Sequence, residues 1–226
     1  MQRAHGRLTK KDLKEDELVT RALQMWAYIE QNYPKLLAGL GAIVVVALAG
    51  MLIKNQSDQQ TQASIDALGN VRIALHQGKV EDAVFQAERV AEEYTGKPAA
   101  GQALLLLGGL HYDLGRYAEA QTAYQGYLST YGDEGPAGYA AWGGIAACLE
   151  EQGSYAEAAE KYAAYADQYG TSPFAPIVLK EASRCYVNAG DLEKAQGVLQ
   201  RIVKDYPKSS IVRSAEAELR QMGVMN

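Results

Sequence analysis

At 226 residues, with 48% hydrophobic side chains, the chain has room for one medium-sized domain plus appendages. Its 27 acidic against 22 basic residues leave a net charge of −5, which argues against nucleic acid as a partner, because phosphate binding needs a concentrated basic face. The two cysteines, Cys148 and Cys185, are too few for a disulfide framework and read as free, partly buried thiols.

Residues 1–34 read as a tail, within which 8–33 begin polar and become amphipathic. Leu18, Ala22, Trp26, Ile29 and Tyr33 recur at steps of three and four, the spacing of one helical face. Trp26, Tyr28 and Tyr33 stand where aromatic rings favour a headgroup region. The segment reads equally as an interfacial helix or as a short solvated one. Pro34 disfavours helical geometry at Tyr33 and predicts a break before the next element.

That element is the run 36–53, LLAGLGAIVVVALAGMLI, which contains no charged or polar side chain. As a helix it would extend roughly 27 Å, close to the ~30 Å hydrocarbon layer of a bilayer. A core helix of a soluble protein normally carries a polar stripe, and this run has none. The long polar segment before it and the Lys54-Asn55-Gln56-Ser57 that follows fit a retained transmembrane helix over 35–54 better than a cleaved signal peptide. Seven basic residues (Arg3, Arg7, Lys10, Lys11, Lys14, Arg21 and Lys35) precede the run, and only Lys54 and Arg72 stand in the first twenty residues after it. This bias predicts a cytoplasmic N-terminus and an exported remainder, 55–226. Ala38 and Ala42 make a small-xxx-small step through which such a helix could self-associate. Residues 55–64 read either as a linker or as a continuation of the helix.

The rest of the chain repeats itself. Gly78-Lys-Val80-Glu-Asp-Ala83, Gly115-Arg-Tyr117-Ala-Glu-Ala120, Gly153-Ser-Tyr155-Ala-Glu-Ala158 and Gly190-Asp-Leu192-Glu-Lys-Ala195 begin 37, 38 and 37 residues apart. Before each of the last three glycines lies one helical face: Leu104, Leu107, Gly108 and His111; Trp142, Ile145, Ala146 and Leu149; Leu179, Ala182, Ser183 and Tyr186. After the glycines come second stripes: Tyr117, Ala120, Tyr124, Tyr127 and Tyr131; Tyr155, Ala158, Tyr162, Tyr165 and Tyr169; Leu192, Ala195, Leu199, Ile202 and Tyr206. The first unit is degenerate, as a terminal repeat facing no neighbour can be, with Val80, Ala83, Ala87, Val90 and Tyr94. The glycine ends each first helix in the left-handed conformation that the turn needs.

This pattern resembles the tetratricopeptide repeat over roughly residues 64–207, in units of about 64–97, 101–134, 139–172 and 176–208. It departs from the family in a period three or four residues longer than 34 and in carrying the terminal proline only once, at Pro207. The connectors look like those of bacterial envelope members, such as the outer-membrane assembly lipoprotein and the Tol-associated cell-division coordinator. With its single anchor, the layout resembles the ancillary subunit of the Sec translocon. The expected architecture is all-α: an N-terminal transmembrane helix, then a tetratricopeptide-repeat solenoid of four helix hairpins, then a capping helix over 209–222 started by Ser209 or Ser210.

No motif carries chemistry. His5, His76 and His111 form no pair at ligand spacing, so neither a metal nor a cofactor is expected. The neighbouring carboxylates Asp133-Glu134 and Glu150-Glu151 point different ways on a helix and read as solvated charges. The resemblance implies instead a binding face along the first helices of the repeats. Arg72, Leu75, Gln102, Leu105, Tyr112, Lys180, Arg184, Val187 and Asn188 stand there outside the packing positions. Their mixture of apolar and basic groups suits a peptide segment of another protein, or is a plain solvated surface. The partners expected are exported client proteins or the subunits of a membrane complex, with the bilayer held through 36–53 and no small-molecule substrate. The location expected is the bacterial inner membrane, with the repeats in the periplasm.

Overall fold

The computed structural model describes residues 10–224; His5, Arg3 and Arg7 lie outside it, as do the side chains of 10–18, with Lys10, Lys11, Lys14 and Leu18, and that of Leu36. The described residues form nine α-helices and no strand. The chain divides into two compact units, 1–58 and 59–226.

The first helix, α1 (Lys10–His76), contains Pro34 within it. The break expected at Tyr33 is absent. A proline inside a helix removes one i→i−4 hydrogen bond and costs about 3 kcal/mol, which the helix-forming leucines and alanines on either side outweigh here. Residues 55–64 are helical as well, which excludes an irregular linker. Over 19–58 the described large apolar side chains stand exposed, Val46 at 71% and Leu52 at 70%.

In the second unit the end of α1 pairs with α2 (Val80–Glu93). Three further hairpins follow: α3 (Pro98–Asp113) with α4 (Tyr117–Tyr131), α5 (Gly135–Glu151) with α6 (Tyr155–Gln168), and α7 (Ala175–Asn188) with α8 (Leu192–Asp205). Each hairpin turns on one of the four recurring glycines, at φ of 73°, 71°, 76° and 80° for Gly78, Gly115, Gly153 and Gly190. The residue after the glycine donates its N–H five residues back, Arg116 to the His111 carbonyl at 2.8 Å and Asp191 to Tyr186 at 2.9 Å. This closes orphan carbonyls of the first helix and needs the left-handed residue in between.

Ala83, Ala120, Ala158 and Ala195, five residues after their glycines, are each wholly buried, because only a methyl group fits where the two helices of a hairpin cross. The core forms two clusters. One joins Leu68, Val71, Val84, Val90 and Leu107 of the first repeats, and the other joins Val178, Leu179, Leu199 and Ile202 of the last with Leu219 beyond it. Cys148 and Cys185 are free and fully buried. Burial pushes their thiols up to about 11 and about 12 respectively.

The closing helix, α9, runs Val212–Gln221 and buries Ala215 and Leu219 on the last repeat. It begins later than expected. Neither Ser209 nor Ser210 occupies its cap position, which is Ile211, but the Ser209 hydroxyl accepts the Ile211 N–H at 3.3 Å.

Candidate protein-binding face

Of the residues expected on the first-helix face, Arg72, Gln102, Tyr112 and Arg184 make contacts between neighbouring first helices. Arg72 of α1 donates to Gln102 of α3 at 2.9 Å. Tyr112 at the end of α3 donates to Glu151 of α5 at 3.1 Å. Arg184 of α7 grips Glu150 of α5 with both terminal nitrogens, at 2.6 and 2.9 Å, and also meets Glu181 at 2.8 Å. Lys180 of α7 pairs with Glu218 of α9 at 2.5 Å. Leu105 is half-buried, and Leu75, also half-buried, packs against the core cluster of the first repeats. Val187 and Asn188 stand exposed at the end of α7.

The contribution of α5 was missed by the sequence reading, which treated Glu150 and Glu151 as solvated. They do point different ways, as helical neighbours must. Yet only 11% of the Glu150 side chain is exposed, and it also accepts the Tyr162 hydroxyl at 3.2 Å. Glu151 accepts from Tyr112 and, at 3.4 Å, from Tyr117. A signal existed in the 34-residue offset between Glu150 and Arg184. That offset is one helical turn short of the repeat period, as a side chain slanting across to the next repeat requires.

The electrostatics follow from these pairings. Burial, then the Glu151 hydrogen bond, pushes the Tyr112 phenol up to about 12. The Glu150 carboxylate raises the Arg184 guanidinium above its usual range, so it stays a cation at any working pH. Aromatic contacts also join α5 to its neighbours: Tyr139 stacks on Phe174 at 4.2 Å between ring centroids, and Lys161 lies 4.7 Å over the Trp142 ring. Among the described residues no group of three or more His, Cys, Asp or Glu side chains could hold a metal ion. A face of paired charges and half-buried leucines can grip a polypeptide.

Comparisons with known proteins agree with the geometry. A profile described as tetratricopeptide repeat matches residues 68–134 and 110–173, and a second profile of the same description matches 149–219. No curated protein matches the sequence. Among solved structures, a tetratricopeptide repeat protein from Parabacteroides merdae superposes with a TM-score of 0.56 at 18% identity, over 72% of this chain and 60% of its own. The chain therefore spans 60% of the length of that relative. The nearly identical repeats of a Podosopora anserina protein described as a kinesin light chain give 0.53 at 18%, covering 65% of this chain and 76% of that one. BtubC (BKLC) from P. vanneervenii gives 0.52 at 11%, covering 63% and 62%. At these identities the likeness is one of fold alone. The matched profiles together span 68–219, more than half of the 226 residues, and the chain belongs to the tetratricopeptide-repeat family.

Proposed function

We propose that this is a single-pass membrane protein whose repeats form a protein-interaction scaffold, acting as a helper at the protein export machinery. Tetratricopeptide repeats are an interaction scaffold and not a catalytic fold, and the face along α3, α5 and α7 is where a partner segment would lie. The observation that carries the anchor is the exposed apolar stretch Leu37–Ile53, of which the chain buries nothing. Apolar surface in water costs about 25 cal/mol per Å², and a bilayer relieves that cost over the whole stretch. The basic residues before the stretch support a cytoplasmic N-terminus, with the repeats in the periplasm of a bacterial envelope.

Protease added to spheroplasts tests the topology: digestion of 55–226 is expected, and full protection overturns the orientation. Extraction of membranes at alkaline pH tests the anchor, because a peripheral protein is released and a spanning one is retained. Photocrosslinking from Tyr112 and Asn188 in native membranes tests the partner. Salt-sensitive adducts with many unfolded exported proteins support the helper.

A second reading, a permanent accessory subunit of a membrane complex, is favoured by one feature. Arg72, Lys180 and Arg184 already have partners within the chain, which leaves few free cations for transient capture. A single stoichiometric adduct that survives high salt would support that reading.

A further inference from the structure

Opposite the face just described lies a groove of about 420 Å³ between α2 and α4. Its floor is Leu104, Leu107 and His111 of α3, and its rim carries Glu88 and Glu92 of α2 and Glu119 of α4. On α3, at 100° per residue, these floor positions point nearly opposite to Gln102, Leu105 and Tyr112. The groove is therefore independent of the first-helix face and goes beyond the function proposed for it.

Comparison among the repeats, aligned on their glycines, explains why this groove is open. Eleven residues after Gly190 stands Arg201, which reaches from α8 across to Asp167 of α6 at 2.5 Å and to the Ala166 carbonyl at 3.1 Å. Four residues after Gly190 stands Lys194, which pairs with Glu160 of α6 at 3.4 Å. The last repeat thus lends two cations to the acids of the one before it. In α4 the same two positions are Gly126 and Glu119. The acid is nevertheless kept, since Glu92 of α2 stands where α6 has Asp167, fourteen residues after its glycine. Between α4 and α6 both groups are gone, with Ala164 and Ser129 at the matching positions. Among the described repeats, only the α2/α4 groove keeps the carboxylate and lacks the cation.

The floor points the same way. His111 occupies the position filled by Ala74, Leu149 and Tyr186 in the other repeats. It is 7% exposed, its Nδ1 has no partner, and its Nε2 lies 3.9 Å from Glu88. Nearby guanidinium groups are committed elsewhere: Arg116 to Glu81 at 2.6 Å and Arg89 to Glu93 at 2.8 Å. We propose that the α2/α4 groove docks a basic amphipathic segment of another protein, which lays an aliphatic side chain on Leu104 and Leu107 and supplies to Glu92 the cation that Arg201 supplies to Asp167.

The full chain in a neutral maltoside detergent tests this by fluorescence anisotropy. The probe is a labelled synthetic helix with leucine at i, i+3, i+4 and i+7 and with lysine and arginine elsewhere. Its control carries glutamate at the basic positions. Gly126→Arg restores the internal bridge to Glu92. A Cβ at Gly126 meets only Leu104, at an ordinary 3.5 Å, so a side chain can leave the backbone there without a clash. The expected result is binding of the basic helix alone, weakened roughly tenfold or more by Gly126→Arg and unchanged by Gly126→Ala. Failure of the basic helix to bind, equal binding of the acidic control, or full binding by Gly126→Arg each overturns the proposal. A concentration-dependent dimer that Gly126→Arg makes monomeric in sedimentation also overturns it, by identifying the occupant as a second copy. Photocrosslinking from Tyr112 and Asn188 would be untouched by any of these results, so failure here is distinct from failure of the first-helix face.

Discussion

Gly108 of α3 and Gly144 of α5 close on opposite edges of one ring, that of Tyr124 from α4. A Cβ placed on Gly108 would overlap Cε1, Cζ and Cδ1, and one placed on Gly144 would overlap Cε2, Cζ and Cδ2. The ring therefore occupies space that two helices vacate by having no side chain. Gly108→Ala and Gly144→Ala would each gain helix propensity of about 1 kcal/mol on an exposed surface. Here each is expected instead to destabilise the chain by a net ~1–3 kcal/mol through overpacking. Urea unfolding followed by circular dichroism reads the sign directly. Tyr124→Leu should restore part of the loss when combined with either alanine, because a flexible side chain can withdraw from the new methyl group.

The hairpin crossings make the same argument with smaller parts. Ala120 and Ala158 are wholly buried between their own first and second helices. Ala120→Leu or Ala158→Leu should cost ~1–3 kcal/mol by forcing the helices apart. Leucine at the exposed Ala118 or Ala156, two positions earlier in the same helices, should change the midpoint little. Equal midpoints for buried and exposed replacements would refute the register.

Those crossings were legible in the sequence because their causes are local and periodic. A glycine at φ near +75° and an alanine five residues later are set by the geometry of one hairpin, and four copies repeat it. The roles of Glu150 and Glu151 were not legible. Charged residues at a helix end are usually solvated, and their partners lie 34 and 39 residues away, on either side of the period that the glycines announce. The passage of α1 through Pro34 was misread for a different reason: the local preference of Tyr33 is one term, and the helix-forming residues on both sides are many. The α2/α4 groove escaped notice because it arises from what one repeat lacks. Gly126 reads as an ordinary small residue until Arg201 is seen bridging at the matching position.

The contact of Glu150 with Arg184 ties α5 to α7 and should show in a double-mutant cycle. Glu150 is nearly enclosed, whereas 48% of the Arg184 side chain is exposed, so solvent screens part of the attraction. Arg184→Met leaves a buried carboxylate with only neutral donors, the Tyr162 hydroxyl and the Cys185 thiol, and should cost more than Glu150→Gln, which keeps a hydrogen-bonding group in place. A coupling of about 1 kcal/mol is expected, discounted from the buried-pair range for that exposure. The same variants report on function. If a partner lies on this face, Arg184→Met weakens its crosslink from Asn188 while leaving the crosslink of a probe in the α2/α4 groove unchanged.

The two buried thiols predict how stability responds to alkaline pH. Desolvation raises Cys148 to about 11 and Cys185 to about 12, above the ordinary thiol value near 9.0 that each regains on unfolding. A group raised in the folded state contributes stability that is fully present below the unfolded value and is lost as pH rises toward the folded one. Stability should therefore fall between about pH 9 and 12, with the unfolded chain releasing protons that the folded chain retains. Tyr112 and Tyr124, raised to about 12, act in the same direction at the upper end of that window. Replacing both cysteines with alanine should flatten the first part of the decline while leaving the tyrosine-dependent part. In the native protein at pH 8, a thiol reagent should react only as fast as the chain opens. Rapid labelling of either cysteine before unfolding would mean that the α5 or α7 packing described here is wrong.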